Sequence, residues 1–364
     1  MRPVVVSFTA AGLTAEKADR EVEPTMGITE ILETLIKGDS LTEEAAGAAM
    51  SAVMAGEWTA AQVAALLTAL RCKGETADEI VGAARAMRAH AVKIRPRLPG
   101  TIDTCGTGGD RSGSFNISTT SAFVVAGAGV PVAKHGNRTA SSLCGSIDLF
   151  EKLGVNVMAP PERIGECIRQ VGLGVLFARL AHPAMKHAAP VRSELGFRTI
   201  FNFLGPLTNP ALPDYQLVGV SDARLLETYA QCLQKLGIQR AWVVTGGDGL
   251  DELTLTGPSQ CLEVTPASIT RHDLIPEDAD LDRCAYEDLK GGTPDDNAAI
   301  TRAILEGRDT GPKQRAVLLN AGAAIYVAGK AATLKEGVAR ARESIQSGKA
   351  LEILQKLVEF TNQG

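Results

Sequence analysis

The stretch that most constrains this chain is residues 102–148. A strand-like run, Thr101 to Thr104, feeds the glycine-rich turn Gly106-Thr107-Gly108-Gly109-Asp110. Ser114-Phe115-Asn116-Ile117-Ser118-Thr119 then opens an apolar run, Ala122 to Ala128, that reads as a buried helix. Strand, glycine turn and helix start in succession aim backbone N–H groups and a helix dipole at one point, which suits an anion. Glycine lets the backbone approach a phosphate with no Cβ in the way. A second strand-like run, Val130 to Ala133, delivers Lys134-His135-Gly136-Asn137-Arg138, and Ser141 and Ser142 can start another helix. A backbone cradle, two cations and several hydroxyls in one short stretch suit a ligand with more than one phosphate group. The glycine turn alone is equally consistent with a tight turn that binds nothing. It fits neither the dinucleotide spacing G-x-G-x-x-G nor the P-loop. Its pairing with K-H-G-N-R at the next strand is what points to phosphate.

Composition narrows the partners. The 364 residues hold two domains or one large one. A net charge of −5 and an aromatic content of 4% weigh against nucleic acid, which wants a basic surface and stacking rings. The cations near Lys134 are therefore a local site. The seven cysteines (72, 105, 144, 167, 232, 261 and 284) form no C-x-x-C motif. An odd, scattered set fits reduced thiols in a cytoplasmic protein. Cys105, beside the glycine turn, reads as a small buried residue sooner than as a reactive thiol. No apolar run reaches the ~18 residues of a membrane span. Residues 1–25 are too briefly apolar for a signal peptide and read as a disordered extension, or as sequence upstream of an alternative start at Met26.

Residues 28–92 form a helical block. Ile28, Ile31, Leu32, Leu35 and Ile36 recur at helical spacing; Thr42 and Thr59 are N-caps, Gly56 and Gly74 are stops, and Thr76 with Glu79 makes a capping box. Four short helices with no strand between them predict a small all-α subdomain. After the linker-like Ile94 to Gly100, strands and helices alternate. Val175 to Ala178, Tyr215 to Val220, Ala241 to Thr245 and Gln260 to Val264 read as strands. Pro161 to Val171, Leu225 to Leu236, a segment begun by Thr293-Pro294, Ala316 to Ala328 and Thr333 to Ile345 read as helices. The fold class is α/β: the small helical subdomain plus a large domain with a mostly parallel central sheet flanked by helices.

A carboxylate-rich loop closes one strand at Asp248-Gly249-Leu250-Asp251-Glu252. Mg²⁺ takes one or two carboxylates and fills its remaining positions with water and phosphate oxygens. Asp251 and Glu252 are the right types at a strand end, where α/β sheets bind ligands; a solvated acidic turn is the plainer reading of this loop by itself. Arg192 has a planar fork that fits a carboxylate, and is otherwise an ordinary surface arginine. His182 and His187 are too poorly spaced on a helix to pair on zinc.

Four motifs, D-x-x-G-T-G-G-D, F-N-I-S-T, K-H-G-N-R-x-x-S-S and G-S-x-D, stand here in the order and spacing that resembles the anthranilate phosphoribosyltransferases. The similarity runs from about Met26 to the C-terminus. The resemblance implies transfer of a ribosyl 5-phosphate from phosphoribosyl pyrophosphate (PRPP) to the amine of anthranilate, in tryptophan biosynthesis. It implies that Gly106, Gly109, Asp110, Ser114, Asn116, Ile117, Ser118, Thr119, Lys134, His135, Gly136, Asn137, Arg138, Thr139, Ala140, Ser141, Ser142 and Ser146 bind PRPP. Gly106, Asn137 and Arg192 face anthranilate, and Ser118, Asp251 and Glu252 hold Mg²⁺, with a pair of ions per subunit. Lys134, Asn137 and Arg192 carry catalysis, Lys134 by offsetting leaving-group charge. The resemblance also implies that residues 188–210 fold back onto the helical subdomain. The small subdomain is then 26–95 plus about 188–210, and the large one 96–187 and 211–364. A homodimer through the helical subdomain is implied as well. Two positions depart from the family pattern: Ser114, usually threonine, keeps the hydroxyl, and Thr245 stands where histidine is common.

Two rivals remain at this level. A pyrimidine nucleoside phosphorylase shares the architecture and a related glycine turn, but carries a different lysine–serine motif where K-H-G-N-R stands. A non-enzymatic nucleic-acid-binding paralogue would need a basic surface and would have lost Asp251 and Glu252.

Overall fold

The computed structural model describes residues 26–94, 97–109, 112–138 and 143–363. The expected extension, residues 1–25, lies outside them. The chain begins with four helices: α1 (Ile28–Ile36), α2 (Glu43–Ala55), α3 (Ala60–Lys73) and α4 (Ala77–His90). Their ends follow local chemistry. Thr42 accepts from Ala45 N, Thr59 and Gln62 form a capping box, and Thr76 forms another with Glu79. Glu79 is fully buried, yet its carboxylate also accepts from Leu41 N and Lys73 Nζ at 3.0 Å each, so the charge is compensated. Helices α2 and α4 cross at backbone contact. A Cβ built on Gly82 would lie 2.1 Å from Glu43 O, so only glycine allows the crossing.

The rest of the chain is built on a seven-stranded sheet: β1 (Ile102–Gly106), β2 (Val132–Gly136), β3 (Leu173–Phe177), β4 (Tyr215–Gly219), β5 (Arg240–Gly246), β6 (Ser259–Val264) and β7 (Ile269–Leu274). The spatial order is β3-β2-β1-β4-β5-β6-β7, parallel from β3 through β5 and antiparallel at β6 and β7. The first three strands step one way from β1, and the chain then returns to place β4 on its other side. The carboxyl ends of β1 and β4 therefore flank a topological switch point, where doubly wound sheets bind their ligands.

Each face of the sheet has its own core. Ile102, Val132, Leu217 and Trp242 face one side, against helix α5 (Ile117–Gly127) and the helices Pro312–Val327, Leu334–Gln346 and Lys349–Asn362. On the other side, Val218, Val220 and Val243 join Tyr229 of helix Leu226–Lys235. That cluster runs on without a break into α1–α4 and the apolar side chains Ala188, Val191, Ile200, Phe201, Leu204 and Leu207. The last six of these side chains come from residues 188–207, mostly on helices Ala189–Leu195 and Phe201–Leu207.

The strand limits differ from expectation in one consequential way. β2 runs to Gly136, so Lys134 and His135 lie inside it and not beyond its end. Their side chains alternate across the sheet and reach opposite faces.

Candidate active site

The turn after β1 is shaped by backbone. Thr107 N donates to Gly219 O at 2.9 Å, and Gly108 and Gly109 take φ of 64° and 79°, a region other residues avoid. The acidic loop then closes on the turn from the β5 side. Asp251 Oδ2 accepts from Gly108 N at 2.8 Å, and Glu252 Oε1 accepts from Ser118 N, in the first turn of α5, at 3.2 Å. Asp248 does not reach the turn. Its Oδ2 accepts from Thr254 Oγ1 and Thr256 Oγ1, each at 2.7 Å, and so holds the loop's shape.

Lys134 enters from below. It is 2% exposed, and its Nζ donates to Thr104 O and to Ser118 Oγ, the latter at 3.4 Å. Gly106, Gly108, Ser118, Lys134, Asp251 and Glu252 are therefore linked in one connected cluster at the switch point. The side chains of Ile117 and Thr119 are buried, that of Ile117 in the core beneath the sheet. Asn116 is fixed from both sides: its N donates to Asn297 Oδ1 at 3.0 Å and its Nδ2 to Cys144 O at 3.1 Å. Ser114 bridges to Lys290 by backbone pairing.

The remaining motif residues spread outward. Asn137 is exposed just past β2, and its carbonyl accepts from Ser146 Oγ at 3.2 Å. Ser146 packs where a Cβ on Gly136 would be, 2.1 Å from the serine Oγ. Arg138 is held by Asp148 at 3.0 Å and by both oxygens of Glu151 at 2.6 and 2.7 Å. His135 turns away from Lys134. Its Nδ1 meets Gly205 O at 3.1 Å and its ring stands edge-on to His182, centroids 5.3 Å apart. Burial pushes its pKa down to about 3, with the neighbouring His182 adding to the effect. Asp110, Thr139, Ala140, Ser141 and Ser142 lie outside the described residues.

Arg192 is half-buried on helix Ala189–Leu195, with its guanidinium 4.9 Å from the Phe201 ring centroid. Burial lowers its pKa, and among the described residues it has no carboxylate partner. Cys105 is buried, with its thiol pKa raised well above the ordinary value chiefly by desolvation, so it is an inert core residue.

The sequence reading omits three residues that shape this site. Asn297 and Arg198 are two; Asn209 is the third, its Nδ2 bonding Asp103 Oδ2 and Ala133 O at 2.8 Å each. Asn297 and Asn209 lie far along the chain from the groups they hold, with no local pattern to mark them. Arg198 shares a short segment with Arg192, which was a usable signal.

The donor set suits Mg²⁺. Asp251 and Glu252 bring hard oxygens to the glycine turn and the start of α5, with the Ser118 hydroxyl beside them. Among the described residues no three His, Cys, Asp or Glu side chains converge into a self-contained cage. Mg²⁺ sites that rely on one or two carboxylates and substrate phosphates look like this.

Residues 29–91 match the helical bundle domain of a glycosyl transferase family, and residues 98–351 match that family's a/b domain. The anthranilate phosphoribosyltransferase of Symbiobacterium thermophilum is 51% identical over 332 residues, covering 91% of this chain and 97% of that protein. That of Moorella thermoacetica is 53% identical over 326 residues, covering 90% and 96%. The crystal structure of the Thermus thermophilus enzyme superposes with a TM-score of 0.87 at 49% identity, covering 91% of this chain and 99% of that one. A Saccharomyces cerevisiae structure in complex with PRPP and Mg gives 0.85 at 26% identity, covering 93% and 98%. The chain belongs to this two-domain glycosyl transferase family and, within it, to the anthranilate phosphoribosyltransferases.

Proposed function

We propose that the cleft between the glycine turn, Lys134 and the Asp251–Glu252 loop is where this chain carries out its family's reaction. The reaction transfers the 5-phosphoribosyl group of PRPP to the amine of anthranilate. The bond from ribose C1 to the pyrophosphate oxygen breaks, and pyrophosphate leaves with the electron pair. The amine lone pair forms the new C1–N bond, and one amine proton passes to solvent. The observation that carries the reading is the convergence of both carboxylates on the two phosphate-facing backbone amides, Gly108 N and Ser118 N.

Mg²⁺, when bound, would neutralise charge on the pyrophosphate. Asp251, Glu252 and Ser118 are the residues that would hold it, and two adjacent carboxylates fit a pair of ions per subunit. Lys134 places its Nζ at a buried position, where electrostatic stabilisation of a departing anion is strongest. Arg192, a half-buried guanidinium with no described carboxylate partner, suits the anthranilate carboxylate. Asn137, exposed at the mouth, suits the amine side. The neutral amine is already a nucleophile, so a dedicated base is unnecessary. His135, its pKa pushed down to about 3, stays neutral at physiological pH. A homodimer formed through the helical block is part of this reading. Seven free thiols support a reducing, cytoplasmic setting.

The test is loss of anthranilate fluorescence on adding PRPP and Mg²⁺ to the purified chain. Loss that needs all three components supports the reading. Unchanged fluorescence from folded protein contradicts it.

A further inference from the structure

We infer that Arg198 is a further substrate-binding residue of this site and takes the pyrophosphate end of the donor. The inference rests on reading the glycine turn as the phosphate cradle. Arg198 lies against the open side of Gly109. Its Cζ and Nη1 are each 3.7 Å, and its Nη2 3.8 Å, from where a Cβ on Gly109 would stand. Three nearly equal distances mean that the forked end of the side chain, and not its aliphatic stem, meets the turn.

The charge inventory of the cradle shows why this arginine is distinctive. Lys134 is buried and already donates to Thr104 O and Ser118 Oγ. Arg138 is gripped by Asp148 and by both oxygens of Glu151. Asp251 and Glu252 bring negative charge to the same turn. Arg198, by contrast, is exposed and forms no ion pair among the described residues. Arg198 helps to lower the pKa of Asp222, but both Asp222 oxygens are already engaged by Arg224 at 2.7 to 3.2 Å. A guanidinium with no ion pair among the described residues, over a left-handed glycine turn, has the fork geometry that binds phosphate oxygens in pairs.

The position also couples the two substrates. Arg192 and Arg198 flank the tight turn at Gly196, where φ is 66°. One short segment, anchored in the core by Ile200 and Phe201, thus presents one guanidinium to the acceptor and another to the donor.

The test is steady-state kinetics of Arg198→Ala and Arg198→Lys in the full chain, with inhibition by inorganic pyrophosphate and by ribose 5-phosphate measured alongside. Arg198→Ala is expected to raise KM for PRPP about tenfold or more, the loss appropriate to charge-assisted hydrogen bonds. Pyrophosphate inhibition should weaken by a similar factor. Ribose 5-phosphate inhibition, KM for anthranilate and Tm should stay near their wild-type values, and Arg198→Lys should recover part of the loss. A PRPP KM within about twofold of wild type overturns the assignment. So does a loss that falls on anthranilate or on ribose 5-phosphate. Failure of the wild-type chain to bind PRPP at all would instead overturn the reading of the cradle itself, and the wild-type arm separates the two.

Discussion

The carbonyl of Asp251 fills the space that a side chain on Gly219 would need. A Cβ built at Gly219 would lie 1.5 Å from that oxygen, and one built at Gly106 would lie 2.3 Å from Asp251 Oδ2. The last residues of β1 and β4, paired across the switch point, are thus both glycine, and the acidic loop sits in the notch they leave. Strand termini and acidic loop are fitted to each other by the absence of two methyl groups.

Gly219→Ala is therefore expected to push the Asp251 loop off the glycine turn without touching any proposed ligand. A displacement of about 1 Å in a reacting constellation costs on the order of 10²-fold in rate. The check is kcat against Mg²⁺ concentration: lower kcat and a higher Mg²⁺ requirement are expected. Wild-type kinetics in the variant would mean that the loop position is unimportant.

Lys134 is buried, with its Nζ beside Thr104 O and Ser118 Oγ, so its removal should act on turnover more than on binding. Lys134→Ala is expected to lower kcat at saturating substrates by on the order of 10²-fold or more, the range seen when one stabilising group is removed from a developing charge. Lys134→Arg should not restore it, because the guanidinium is too large for the space between Thr104 and Ser118. Unchanged turnover in Lys134→Ala would remove Lys134 from the leaving-group step.

Stability should fall on mild acidification. Burial lowers His135 to about 3 and His182 to about 4, both from 6.5. Groups depressed in the folded state contribute stability above the unfolded pKa and lose it as pH falls toward the folded one. Between pH 6.5 and about 6 the unfolded chain binds about 1 to 1.5 extra protons from this pair, a slope of about 1.4 to 2.1 kcal/mol per pH unit. Below about 6 Asp103 acts in the opposite sense. Burial raises its pKa from 3.8 to about 6, so the folded state holds a proton there and the slope is partly offset. Urea denaturation from pH 7 to 5 checks this. The wild type should weaken, and a His135→Asn/His182→Gln double variant should show a flatter profile; an equal slope in both would contradict it.

Much of this was legible in the sequence because it is local. Thr42, Thr59, Thr76 and Thr293 cap the helices their spacing announces, and helix Pro161–Val171 has the limits its pattern gives. Two of the elements without a counterpart among the expectations differ in kind. β7 is a half-exposed edge strand, Ile-Thr-Arg-His-Asp-Leu, whose polar composition hides it. The last helix, Lys349–Asn362, does carry a periodic buried face in Ala350, Leu354, Leu357 and Thr361. In the site, residue types and strand ends were readable. What was not readable was contact across the fold: Lys134 buried inside β2, His135 turned to the opposite face, Arg138 bound by two carboxylates, and Arg198 brought over Gly109. Each depends on which strands are neighbours, and a single sequence does not state that.

The most direct measurement is calorimetric titration of PRPP into the wild-type chain and into an Asp251→Asn/Glu252→Gln double variant, each with and without Mg²⁺. The expected result is binding that Mg²⁺ strengthens in the wild type, with that strengthening lost in a variant whose Tm is intact. Equal enhancement by Mg²⁺ in both proteins would contradict the claim that the acidic loop and the glycine turn together hold a magnesium-bearing diphosphate.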